Sequence, residues 1–253
     1  MLVDTHCHLD QLDDVRAVLQ EAASKGVMRV VAVSENPQSM RRVLELKRLY
    51  PDCVLAGLGL HPAWVTQRED CVEAALQWLE EAMPQADELG EVGLDHKWAT
   101  ERPAQMVQEE VLERQLQLAV RHAKPVNLHS RRCLRQTMER AIAFRRSAGL
   151  NAQMHWFTQS KKLVRICNDE GLYVSVGPTV LHDEQAQQVA LEIAEELLLF
   201  ETDAPVPIGG RAGHPQRVRE VVECMARLRG LETEEMAALS AANFARFLSG
   251  DQP

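Results

Sequence analysis

Leu2-Val3-Asp4-Thr5-His6-Cys7-His8-Leu9 decides how the rest of the chain is read. Two apolar residues run straight into two histidines one residue apart. Side chains alternate along a strand, so His6 and His8 point to one face, where their imidazoles can share a borderline metal ion. The same alternation turns Cys7 the other way, into the core. An HxH pair alone is a weak signal, also at home on a wet strand face or in a tag remnant. It gains weight because later strand ends also finish in ligand-type residues.

Outward from that strand, Val15, Val18, Leu19 and Ala22 have helical spacing and predict a helix over 13–25, capped by Asp13 or Asp14 and ended by Gly26. The run from Val27 to Ser34 is short, β-branched and bounded by Glu35-Asn36-Pro37, which predicts a buried strand. The alternation continues. Strands are expected over 53–60, 89–94, 125–130, 151–157, 172–177 and 197–205. Helices are expected over 39–50, 72–83, 105–122, 134–145, 161–170, 184–196, 216–228 and 233–248. Eight strands, each followed by a helix, with one helix to spare and no Gly/Ser-rich linker, predict a single (β/α)8 TIM barrel over 1–253 with an extra C-terminal helix. A doubly wound open sheet is the alternative, but it usually carries a Gly-rich phosphate turn after its first strand, and none follows Leu2 to Asp4.

A chain of 253 residues, 45% hydrophobic and 26% charged, is ample for one large core. No apolar run approaches the roughly 18 residues needed to span a membrane. With no basic-then-apolar leader either, the expectation is a cytoplasmic protein. Six cysteines without a CxxC pairing read as reduced thiols. A net charge of −9 argues against sequence-blind binding to long duplex nucleic acid, though a few arginines and bound cations can still handle a phosphate. No obligate protein partner or dimerisation stripe is evident, so a monomer is expected.

In a barrel, active-site residues come from the C-terminal ends of several strands. Those ends supply His6 and His8, then His61, Glu91, His129, His155 and Asp203. Each alone has a bland reading: His129 as a satisfied structural histidine, Glu91 as a buried carboxylate paired with a base, Asp203 as a turn former. Together, seven ionisable groups beside apolar runs are costly to bury unless they pair or bind metal. His96, His122, His182 and His214 are read instead as loop or helix-end residues, with His122 suited to the end of a helix dipole.

Six motifs in order carry a resemblance: Asp4-Thr5-His6-Cys7-His8, Gly59-Leu60-His61-Pro62, Gly90-Glu91-Val92-Gly93-Leu94-Asp95, His129-Ser130-Arg131, His155-Trp156-Phe157-Thr158 and Glu201-Thr202-Asp203-Ala204-Pro205. The set resembles the TatD family of metal-dependent hydrolases, amidohydrolase-like barrels that include deoxyribonucleases, and the match runs on to Asn243 and Phe247. The resemblance implies two divalent metal ions, one on His6, His8 and Asp203, the other on His129 and His155, with Glu91 bridging. A mixed nitrogen and oxygen shell favours Zn2+, then Mn2+, Ni2+ or Fe2+, over the all-oxygen cage that suits Mg2+, which remains among the candidates. Asp203 and Glu91 are the expected catalytic groups, Asp203 as general base toward a metal-activated water. His61 resembles the family's phosphate-contacting histidine. Arg131 either grips a phosphate by two hydrogen bonds or pairs with a neighbouring carboxylate.

The chain departs from the family pattern at Trp156 and Gln159 after strand 6, at His96-Lys97 after strand 4, and at Gly213, where an asparagine is usual. These changes bear on substrate choice. The expected function is a phosphodiesterase or deoxyribonuclease, exonuclease-like, acting on DNA ends or short single-stranded DNA. The alternatives are hydrolysis of a small amide, lactone or ester on the same site, and a catalytically silent metal-binding protein.

Overall fold

The computed structural model describes residues 1–250; the last three positions of the expected 1–253 domain lie outside the described residues. Eight parallel strands stand side by side in chain order. They are β1 (Leu2–Cys7), β2 (Val27–Val33), β3 (Val54–Leu58), β4 (Glu88–Asp95), β5 (Val126–Arg131), β6 (Ala152–Met154), β7 (Tyr173–Val176) and β8 (Leu198–Phe200). Around them run α1 (Val15–Ser24), α2 (Pro37–Leu49), α3 (Pro62–Gln67), α4 (Val72–Ala82), α5 (Arg102–Arg121), α6 (Leu134–Ala148), α7 (Lys161–Asp169), α8 (Glu184–Ala190), α9 (Val218–Arg229) and α10 (Thr233–Ser249). The sheet curls into the (β/α)8 barrel that the alternating elements predicted.

Local chemistry sets the helix ends. Asp14 accepts from the Ala17 N–H at the start of α1, and Asn36 accepts from Gln38 and Ser39 at the start of α2, where Pro37 follows. One face of α2 then buries Met40, Val43 and Leu46, each 0% exposed. Burying such a side chain stabilises the fold by about 1.5–3 kcal/mol.

The barrel closes through groups beside the histidine pair. The Asp203 N–H donates to the His6 carbonyl at 2.9 Å, and the His8 N–H donates to the Ala204 carbonyl at 2.7 Å. Below them the Asp4 carboxylate accepts from both the backbone N–H (2.9 Å) and the hydroxyl (2.5 Å) of Thr202. Helices and strands pack through an apolar layer, while the barrel interior beneath the strand ends holds Thr5, Glu88, Asn127, Gln153 and Ser175, all buried.

Four elements differ from the sequence reading, one of them β8, which runs over Leu198–Phe200 where a strand over 197–205 was expected. The six-residue α3 is too short to show a helical period, and its start is marked by His61 and Pro62 alone. The expected helix over 184–196 stops at Ala190, and a short 3-10 turn at Glu195–Leu197 leads into β8. The expected strand over 151–157 is only Ala152–Met154, because Trp156 turns left-handed at φ 47°.

Candidate metal centre

All seven strand-end residues meet at one mouth of the barrel. His6 and His8 do face the same way: each Nε2 lies 3.3–3.5 Å from Glu91 Oε2 and from Asp203 Oδ1. Cys7, between them, is 0% exposed in the core, its thiol toward the Ala204 carbonyl. The other oxygen of Glu91 serves the opposite side, with Oε1 2.7 Å from His129 Nδ1, 3.5 Å from His155 Nε2 and 3.7 Å from His61 Nε2. One carboxylate thus has two imidazoles on one oxygen and three on the other. A register shift in the β4–β5 pairing between Leu89 and Val92 accompanies this placement of Glu91 on the wall of the mouth.

Three groups have potential ligand atoms within 4.8 Å of one another: His6, His8 and Asp203; His6, Glu91 and His155; and His61, Asp95 and His129. The donor set of imidazole nitrogens and carboxylate oxygens suits a borderline divalent ion. The buried His6 Nε2 has no hydrogen-bond partner among the described residues although two carboxylates face it, which is the position of a ligand atom.

The charge balance agrees. Burial works to lower the pKa of His6, but the carboxylates of Glu91 and Asp203 outweigh it and hold it up at about 10. Burial likewise opposes protonation of His129, yet Glu91 and Asp95 raise it to about 9. Glu91 is opposed by burial too and is held well below the usual carboxylate range by the charges of His6 and His129 and a hydrogen bond from His129. The carboxylates draw positive charge into the cup, here as protons on His6 and His129, and a bound cation would supply the same charge. His61 behaves differently: burial pulls it down to about 3, so it is neutral.

Three partners behind the imidazoles were not singled out from the sequence. Asp95 Oδ2 lies 3.1 Å from His129 Nε2, Glu201 Oε2 lies 3.1 Å from His155 Nδ1, and Asn127 Oδ1 lies 3.1 Å from His6 Nδ1. Asp95 and Glu201 sit inside quoted motifs, as acids bordering apolar strands. Asn127 is a lone amide in an apolar strand, two residues before His129 and therefore on its face.

The cup opens into a cavity of about 680 Å3 lined by His61, Arg131, Trp64, Trp98, Trp156 and Gln159, among others. The volume suits a small-molecule or short-polymer substrate. Arg131 forms no ion pair with any described residue. Trp156 is anchored by its indole N–H on Thr179 Oγ1 (2.9 Å), and Gln159 donates to the Trp156 carbonyl. Gly213 lies where an added Cβ would come within 2.6 Å of the Val206 carbonyl, so no side chain fits. His96 and His214 do not line the cavity; His214 faces Glu21 at 3.3 Å.

A barrel whose strand ends assemble such a cup places the protein among the metal-dependent hydrolases. More narrowly, the chain belongs to the TatD family, since residues 3–249 match the family described as TatD related DNase. It is 31% identical to an uncharacterised metal-dependent hydrolase, YabD, of Bacillus subtilis over 97% of this chain and 98% of that protein. It is 29% identical to the human deoxyribonuclease TATDN3 over 96% of this chain and 92% of that one. Among solved structures, the TatD homologue YJJV of Escherichia coli superposes with a TM-score of 0.87 at 28% identity, covering 97% of both chains. No helix among the described residues is long and apolar enough to cross a membrane.

Proposed function

We propose that the protein is a DNA phosphodiesterase that trims ends or short single strands. Two divalent cations, Zn2+ by preference, would sit on His6, His8 and Asp203 and on His129 and His155, with Glu91 between them. The divided Glu91 carboxylate carries the reading, since one oxygen faces His6 and His8 and the other faces His129 and His155, with His61 beside them. When bound, the cations supply Lewis-acid stabilisation of phosphoryl oxygens and acidify the attacking water.

The remaining chemistry belongs to the chain. Burial opposes ionisation of Asp203, but a hydrogen bond from His8 and the charges of His155 and His6 keep its carboxyl below the usual range. It is therefore an acceptor at neutral pH: it takes the proton of the attacking water as the new P–O bond forms and returns it to the leaving oxygen as the old P–O bond breaks, releasing a free hydroxyl. His61 Nδ1 accepts from the Ala63 N–H at 3.0 Å, so its neutral ring carries the proton on Nε2 and offers it to a phosphate oxygen. That protonated nitrogen argues against the His61, Asp95 and His129 group as a further metal site. Arg131, unpaired, grips the phosphate. Trp64, Trp98 and Trp156 give unstacked bases flat surfaces to lie on, which favours single strands over duplex. The deoxyribonuclease name of the human relative supports the same substrate. The six unpaired thiols support a reducing, cytoplasmic setting.

The test is end-labelled single-stranded DNA incubated with protein loaded with Zn2+ or Mn2+, beside a panel of small amides, lactones and esters. Progressive shortening of the DNA is expected, with binding that weakens as salt rises. Intact DNA beside rapid turnover of a lactone or amide would transfer the site to carbonyl chemistry.

A further inference from the structure

Three of the four ligand imidazoles have a partner behind the ring, and the partners are not alike. His129 and His155 have carboxylates behind them, Asp95 and Glu201, whereas His6 has the neutral side-chain amide of Asn127. An amide could present either its oxygen or its nitrogen to His6, and its surroundings settle which. Asn127 Nδ2 donates to the Thr5 carbonyl at 3.2 Å and to Glu88 Oε1 at 3.0 Å. Both of its hydrogens are used, and the Thr5 carbonyl is a group that can only accept. A flipped amide would set its oxygen against the Thr5 carbonyl oxygen, which has no hydrogen to offer. The Asn127 oxygen therefore faces His6 Nδ1, and that nitrogen is the donor.

We propose that Asn127, held by Glu88 and the Thr5 carbonyl, is a positioning residue that fixes His6 as the Nδ1–H tautomer and so leaves its Nε2 lone pair directed at the cation site. The ring nitrogen that does not bind metal decides which one can. Asn127, Glu88 and His6 are all at most 0% exposed, so water cannot substitute for any link. The site for the amide is built. An added Cβ at Gly90 would lie 2.8 Å from the Asn127 Cβ, and one at Gly57 would lie 3.2 Å from Glu88 Oε1. Glycines at those two positions leave the room that the amide and the carboxyl occupy. β4, β5 and β1 each contribute one member, so the link ties three strands of the barrel floor to one ligand.

The inference rests on reading the cup as a cation site, and the experiment separates the two. Zn2+ affinity is measured by chelator competition, and the histidine ring nitrogens of the Zn2+-loaded protein are followed by 15N NMR. Asn127→Leu should weaken Zn2+ binding by about 10–100-fold, the range for losing a partner behind a ligand. Asn127→Leu combined with Glu88→Leu removes the stranded carboxyl as well, so a folded protein is expected even if the single variant unfolds. Its affinity should fall by a similar factor, with the His6 Nδ1–H signal exchanging rapidly. Glu88→Gln alone keeps an amide oxygen to accept from Asn127 and leaves the Thr5 contact untouched, so binding should stay within about 3-fold of the parent. Folded Asn127→Leu variants that bind Zn2+ as the parent does would overturn the role of Asn127 alone. A parent protein that binds no divalent cation would remove the site reading beneath it.

Discussion

Asp203 sits where the chain leaves β8 at φ 53°, a left-handed conformation that aspartate tolerates better than most residues. Such a conformation costs on the order of 1–3 kcal/mol and persists only where its surroundings insist on it. Here the insistence is the hydrogen bond from the Asp203 N–H to the His6 carbonyl, which aims the carboxylate at His8. Asp203→Asn should keep the fold, since asparagine also accepts this backbone. It should lower single-turnover cleavage of labelled single-stranded DNA by about 10²–10⁴-fold, the usual contribution of a positioned base. Unchanged turnover in a folded variant would remove the residue from proton transfer. The position of Asp203 past an apolar run was legible in the sequence, as were those of His6, His8, His61, Glu91, His129 and His155, because each lies on or just after an apolar strand. What stood behind the imidazoles was not. Asn127 meets His6 across 121 positions and Glu201 meets His155 across 46, distances that only the closed sheet makes short.

The elements that shape the cavity are its least regular ones. After β4, Asp95 uses Oδ1 to accept the Lys97 N–H (2.8 Å) and Oδ2 to face His129, while its carbonyl accepts from Trp98 and Ala99. Ala99 is buried and pins the turn, so Trp98 is held out at the cavity rim, 48% exposed. Trp98→Ala should raise KM for short single-stranded DNA by the loss of about 1–3 kcal/mol of base stacking. Trp98→Phe should recover most of it, and kcat on a small phosphodiester without a base should not move. Equal losses on both substrates would show instead that the turn, through Asp95, had disturbed His129. Helix and strand order was readable from apolar spacing, whereas α3 was not, because six residues carry no period. Yet α3 brings Ala63, Trp64 and Gln67 into the cavity.

At the scale of the whole molecule, the barrel floor is polar. Burial raises the Glu88 carboxyl from 4.5 to about 8. A folded pKa above the unfolded one means that folding is favoured most while Glu88 keeps its proton, below about pH 4.5. That contribution declines as pH rises and is gone above about pH 8. Glu88→Gln retains the amide partner but cannot ionise. The stability difference between parent and variant in urea should therefore shift toward the variant between pH 5 and 8, by at most about 1.4 kcal/mol per pH unit. A difference that stays flat across that range would mean the carboxyl ionises as freely inside as outside. The closing seam has a last consequence. The backbone bonds that zip the first strand to the end of the eighth belong to His6, His8, Asp203 and Ala204. A chain whose two ends have not yet met therefore has no assembled cup, and partly formed molecules would lack the site, and whatever hydrolysis it performs, until the ring is complete.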